Sequence, residues 1–275
     1  MKTSIRKLFS YLLLCSVTLI IAAPFIWMVI TSLKAPTKVF EFPPKLIPDP
    51  IVFTNYIEIF NVQPNFSLYY YNSVYIAVLV TAGTAIVSSL AGYSFAKIKF
   101  PFKGAIFLLL LSSMMIPTEA TAIPMFNWMT KLKLTNTHFP LIVPHILGGT
   151  FGLFMMRQYF ITIPGEIDEA AKVDGCSPWK TYISIMLPMA APAIASLSLI
   201  TFLGSWNDFF GPLIYLSSSK LYTLPLGVSM FTSEAGTQWN LIMVASVLAT
   251  APLLTVFFFT QKQFIDSISM SGVKG

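Results

Sequence analysis

The sequence predicts an all-α, polytopic membrane protein, and three observations carry that reading. Hydrophobic residues make up 55% of the 275 and charged residues only 10%, where a soluble domain of this length would carry roughly 25% charged. The mean hydropathy is +0.73. Apolar runs long enough to cross a bilayer, about 20 residues each, recur from end to end. Six transmembrane helices are expected, at about 10–32, 70–96, 104–129, 139–157, 182–203 and 241–261, in one domain spanning 1–275 with core helices over about 70–261.

The first span follows Lys2, Arg6 and Lys7, a flank that also suits a signal peptide. Leu8 to Leu33 carries no charge, however. That is about 39 Å of helix at 1.5 Å per residue, far longer than a cleavable apolar segment. The stretch 34–69 contains Pro36, Pro43, Pro44, Pro48, Pro50 and Pro64, so it cannot be one long helix. Tyr69, Tyr70, Tyr71 and Tyr75 read as an interfacial aromatic belt where the second span begins. The third span is broken by Pro117, Glu119 and Pro124 and is expected to bend and finish along the interface. Eleven of the seventeen Lys and Arg residues lie on one side if the N-terminus is cytoplasmic. An even number of spans then puts the C-terminus, and the loop at about 158–181, inside as well. The loops at about 34–69 and 204–240 are external on that reading.

The loop holds four of the eleven acidic residues, Glu166, Asp168, Glu169 and Asp174. Pro164 suits the first turn of a helix, where a missing N–H costs nothing, and the acids that follow suit its positive end. Ile167, Ala170 and Ala171 share a face, and Asp168 can pair with Lys172 at i, i+4. Gly175 fits the left-handed stop position, after which Ser177 and Pro178 can open a second helix as cap and first residue. Charged, capped and short, such a helix either presents itself to a soluble partner or is a solvated connector.

Other chemistry is not visible. Cys15 and Cys176 have no disulfide or metal-site spacing, and His138 and His145 lack nearby cysteines or paired carboxylates. No GxxxxGK[ST] phosphate loop occurs, so the chain has no nucleotide site of its own. Basic residues stand singly in loops, which does not make a nucleic-acid footprint. Glu119 and Asp208 lie close to spans, and carboxylates near lipid are costly enough to be functional candidates. Trp206, Asn207 and Asp208 offer a ring face and polar atoms, the groups a sugar needs, although they also read as helix-end structure with Trp206 as an interfacial anchor.

Glu169-Ala170-Ala171, then Asp174-Gly175, then Ile185, Leu187 and Pro188, resembles the EAA loop of bacterial ABC-importer permeases. Ser205-Trp206-Asn207-Asp208-Phe209 with Gly211-Pro212-Leu213, Met115-Ile116-Pro117 with Ile123-Pro124, and the ending Gly272-Val273-Lys274-Gly275 look like the carbohydrate branch, of the MalG-type second permease. The resemblance implies the MetI/MalG-like fold and a multi-pass place in a bacterial or archaeal cytoplasmic membrane. It implies a homologous second permease, two copies of an ABC ATPase that bind ATP and Mg, and an extracytoplasmic solute-binding protein as partners. The chain itself would hold no cofactor. Glu169, Ala170, Ala171, Asp174 and Gly175 would couple to the ATPase, the alanines giving close packing, while Pro188 and Pro192 would bend the following helix. By position, Glu234, Gly236, Gln238 and Trp239 would meet the binding protein, and Ser269 to Gly275 would approach the ATPases.

Two rival readings differ in what they require. An ion-coupled secondary transporter would use Glu119 and Asp208 as coupling carboxylates, but it has no need of the acidic loop and would be expected to show an inverted repeat. The same importer carrying glycerol 3-phosphate would want Arg or Lys along the path, where the spans have almost none (Arg157 sits at an inner end).

Overall fold

The computed structural model describes residues 2–233 and 236–272. Among these residues the regular structure is all helical apart from one hairpin of two-residue strands. In order, the helices are α1 (Lys2–Ser32), α2 (Asn55–Val62), α3 (Phe66–Lys97), α4 (Lys103–Ser113), α5 (Thr118–Lys131), α6 (Phe139–Leu147) and α7 (Thr150–Thr162). There follow α8 (Gly165–Val173), α9 (Pro178–Thr181), a π-helical turn (Tyr182–Met186), α10 (Leu187–Met189), α11 (Ala191–Trp206), α12 (Phe210–Tyr215), α13 (Leu224–Ser229) and α14 (Trp239–Gly272). The strands β1 (Thr232–Ser233) and β2 (Gly236–Thr237) pair antiparallel, Thr232 opposite Thr237.

Among the described residues, four stretches are long and apolar enough to cross a membrane unaided: Arg6–Ser32, Phe66–Lys97, Phe139–Thr162 and Trp239–Phe258. The expected six are reached only if two bent pairs each count as a span. The third expected span stops at Ser113 and resumes at Thr118 after a bend of 96°. Eleven residues of α4 reach only about 17 Å, so the run 104–129 is not one straight crossing. Pro117 explains the break, because the residue before a proline is pushed out of the α region. The fifth is likewise two pieces, Pro178–Met189 and Ala191–Trp206, bent by 74°. Its bend falls at Ala190, between Pro188 and Pro192.

The backbone packs as two compact bodies. In the first (Met1–Ser67 and Gly227–Pro252), the buried Asn55 amide donates to the carbonyls of Ser32 (2.8 Å) and Lys34 (2.9 Å), satisfying oxygens that the end of α1 leaves open. Asn240 donates to Asn55 in turn, at 3.3 Å. Lys34, expected in the external loop, is buried with its ammonium 4.6 Å from the Trp27 ring centre. The apolar window of α1 buries none of its length within the chain, which leaves that surface to lipid or to another subunit.

The second body (Leu68–Leu226 and Leu253–Gly275) holds two apolar clusters. One joins Tyr93, Met156, Phe160, Tyr182, Met186 and Leu197; the other joins Ile76, Val80, Leu141, Ile142 and Leu216. The tyrosine belt is split by this packing. Tyr71 and Tyr75 are exposed and stacked on each other, whereas Tyr69 is buried beside Tyr222 and Tyr70 packs on Trp206.

Helices α3 and α7 touch closely at Gly92. A Cβ there would lie 2.6 Å from Met156 Cβ and 2.8 Å from the Arg157 nitrogen. Gly92→Ala is therefore expected to force the two helices apart at a cost of about 1–3 kcal/mol. A lower thermal midpoint in detergent, followed by tryptophan fluorescence, checks this.

Candidate functional site

Two features of the second body stand out as functional surfaces: the α7–α9 loop and a pair of cavities among the helix breaks.

The loop is built largely as its residues dictate. Pro164 is the residue before α8, one position earlier than the first-turn placement, and α8 runs from Gly165 to Val173. Gly175 has φ +74°. The Cys176 N–H donates to Ala171 O (2.9 Å) and the Gly175 N–H to Lys172 O (3.0 Å), the paired bonds of a glycine-terminated helix end. The Ser177 hydroxyl then accepts from the Lys180 N–H at 3.3 Å, with Pro178 first in α9.

Two pairings differ from the sequence expectation. Asp168 pairs with Lys97 at the end of α3, 2.8 Å away, rather than with Lys172. Lys97 also donates to Ile163 O at 2.8 Å, so one ammonium ties α8 and the end of α7 to α3. The two charged side chains are only 12% and 16% exposed. Sequence reasoning missed Lys97, because a contact between residues 97 and 168 leaves no local spacing to read. Ala171 is also not where close packing on a partner would need it: it is 2% exposed, buried within its own chain. The exposed side chains of α8 are Glu166, Glu169, Ala170, Lys172 and Val173, continued by Asp174 and Trp179. Val173 is 88% exposed and Trp179 59%, large apolar surface on an otherwise charged loop.

The second feature is a cavity of about 520 Å³ adjoining another of about 360 Å³. Both are lined by His145, Gly149 and Asp208, and the larger also by Glu119. The two carboxylates singled out from sequence thus converge on one connected space, although 89 positions separate them. Asp208 uses one oxygen to accept the Gly211 N–H at 3.1 Å. Among the described residues neither acid forms an ion pair, and no Lys or Arg lines either cavity.

Trp206 requires correction. It is 2% exposed, stacked on Phe202 (5.7 Å between ring centres) and met edge-on by Tyr70 (5.9 Å). Its faces are taken, so it neither stacks on a solute nor anchors at an interface. Asn207 is exposed but its amide donates back to Leu203 O at 2.9 Å, closing α11. In the first body, Trp239 is exposed and packs edge-on to Phe40, the Gln238 N–H donates to Phe231 O, and Gly236 pairs with Ser233. Glu234 and residues 273–275 lie outside the described residues. Among the described residues no group of three His, Cys, Asp or Glu side chains is placed to hold a metal, and both cysteines are free.

Interrupted membrane helices, open cavities reached by Glu119, His145 and Asp208, and an exposed charged helix on a connecting loop are the features of a permease. The chain belongs to the family of binding-protein-dependent transport system inner membrane components, whose profile matches residues 85–269. It is accordingly a non-catalytic subunit. It is 32% identical over 280 residues to the arabinooligosaccharide transport system permease protein AraQ of Halalkalibacterium halodurans, covering 100% of both chains. It is 30% identical over 264 residues to the sn-glycerol-3-phosphate transport system permease protein UgpE of Yersinia enterocolitica, covering 94% of this chain and 93% of that one. A chain of a bacterial ABC transporter that imports the acidic polysaccharide alginate shares the fold, with a TM-score of 0.80 at 22% identity over 96% of this chain and 98% of that one.

Proposed function

We propose that this chain is one of two permease subunits of an ATP-driven importer for a neutral sugar or oligosaccharide. Alternating access is driven through α8 by a separate pair of ATPases, in a cytoplasmic membrane with both termini inside. The carrying observation is the construction of the α8 loop. Its inner side is pinned by Asp168, Ile167 and Ala171, and its outer side offers acids flanking bare Val173 and Trp179. A helix held rigidly from behind and presenting unsatisfied apolar surface in front is a docking element for a soluble partner. Glu169 and Asp174 meet basic or polar groups on that partner, Ala170 and Val173 pack against it, and Gly175 makes the turn that keeps the helix short.

The cavities supply the substrate side. Glu119 and Asp208, in cavities that no Lys or Arg lines, repel a phosphate or uronate and accept hydrogen bonds from hydroxyls. Likeness along the whole chain to an arabinooligosaccharide permease supports a saccharide. Glycerol 3-phosphate is the alternative solute, and it would need its positive charge from the partner permease.

The test is a single cysteine at Val173 in a Cys15→Ser/Cys176→Ser background, cross-linked in the assembled complex. A covalent product with the ATPase subunit is expected. A Val173→Cys protein that reacts only with impermeant reagents from outside the cell would overturn the assignment.

A further inference from the structure

The fourth span is interrupted at Gly148-Gly149, between α6 and α7, and this break is the meeting point of three cavities. Besides the two described above, a third of about 230 Å³ is lined by Gly149, Ser88 and Thr150. Gly149 is common to all three. They form a chain of spaces running from Glu119 past His145 and Asp208 to the break, then along α3 beyond Ser88.

Thr81, Thr84 and Ser88 sit at i, i+3, i+7 on one stripe of α3, and all three hydroxyls are buried without a hydrogen-bond partner. Ser94, Ser196 and Ser246, by contrast, each bond back to a carbonyl one turn earlier, on Leu90, Pro192 and Ile242. A buried unpaired hydroxyl costs about 1–3 kcal/mol, so a stripe of them in a membrane protein calls for an absent partner. Thr84 is 5% exposed and Ser88 1%, and each lines one of the cavities that meet at the break. At the break the Gly148 N–H donates to Pro144 O (2.8 Å), and the Thr150 and Leu153 N–H groups donate to Gly148 O (2.7 Å) and Gly149 O (3.1 Å), while no side chain caps α7. Transporters place solute sites where spanning helices are discontinuous.

We propose that the Gly148-Gly149 break together with Thr84 and Ser88 forms the hydroxyl-lined waist of the translocation path, where a saccharide's own hydroxyls complete the unpaired groups. This rests on the sugar-importer reading for the identity of the solute only. Gly149 sets the width. A Cβ added there would stand 3.4 Å from Thr84 Cγ2 and 3.5 Å from Ser88 Oγ. These are ordinary contacts, so the methyl would cover the stripe without forcing the helices apart.

Gly149→Ala and Thr84→Val are therefore informative variants, since neither removes an internal hydrogen bond or creates a clash. In proteoliposomes of the complete importer, both are expected to cut uptake of arabinotriose at least tenfold without lowering the thermal midpoint. In the cysteine-free background, Thr84→Cys is expected to react with a charged methanethiosulfonate at least tenfold faster than Ile20→Cys on the exposed apolar surface of α1. Adding Gly149→Ala should slow that reaction. Equal labelling of the two cysteines, or full uptake by both variants, overturns the waist. The labelling needs no sugar, so the two readings separate. A reactive Thr84→Cys in an importer that takes up glycerol 3-phosphate but neither arabinotriose nor maltose overturns the saccharide assignment and leaves the waist standing.

Discussion

Replacing Ala171 with Arg is expected to abolish uptake and to lower the stability of the chain itself. The side chain is 2% exposed at the inner face of α8, where the Asp168 carboxylate is already paired with Lys97. Burying an uncompensated charge costs about 3–5 kcal/mol, more than a nine-residue helix on a membrane surface can bear. Its neighbour Ala170 points outward. Ala170→Arg should leave the melting temperature of the isolated chain unchanged and weaken only its association with the ATPase. Melting curves in detergent and co-purification of the ATPase separate the two effects. If Ala171→Arg melts like the unaltered chain yet fails to couple, Ala171 faces the partner after all.

The second large effect is expected at Lys97. Lys97→Met removes the 2.8 Å pair with Asp168 and the bond to Ile163 O in one step, leaving a carboxylate in a mostly enclosed site. Hydrogen bonds to charged groups contribute about 1.5–3 kcal/mol each. The expected result is faster amide exchange across residues 165–173 and a rise of at least twofold in ATP consumed per solute imported, because α8 moves without dragging α3. Asp168→Asn should behave similarly, since it ends the ion pair. The exchange Lys97→Asp with Asp168→Lys should recover part of the coupling. An unchanged ratio of ATP to solute in both single variants would show that force passes into the membrane elsewhere, for example through Tyr182 and its 2.8 Å bond to Ser89.

These two positions show what local sequence can and cannot say. The ends of α8 were legible because capping is a matter of nearest neighbours: Gly175, Ser177 and Pro178 take the roles that their backbone preferences dictate. The bend before Thr118 and that at Ala190 were legible for the same reason, since proline acts within one turn. The face on which Ala171 lies and the partner of Asp168 were not. Both follow from where α3 passes, and α3 lies 70 residues upstream. Trp206 was misread because an aromatic beside polar residues looks the same whether its rings meet solvent or Phe202 and Tyr70. The Gly148-Gly149 break falls inside 139–157, which the sequence reading took as one continuous span, and its meaning depends on which helix faces it.

By itself, the sequence determined that this chain lives in a membrane, roughly where its helices start and stop, and that one short capped helix stands apart from the spans. Composition and turn chemistry act over a few residues, and they need no knowledge of the rest. Only the tertiary structure decided which side of that helix is anchored, that Glu119 and Asp208 share one space, and that the unpaired hydroxyls of α3 face a gap in another helix. Those are relations between segments distant in the chain. They are set by packing and by the pairing of buried polar groups, which no local pattern encodes.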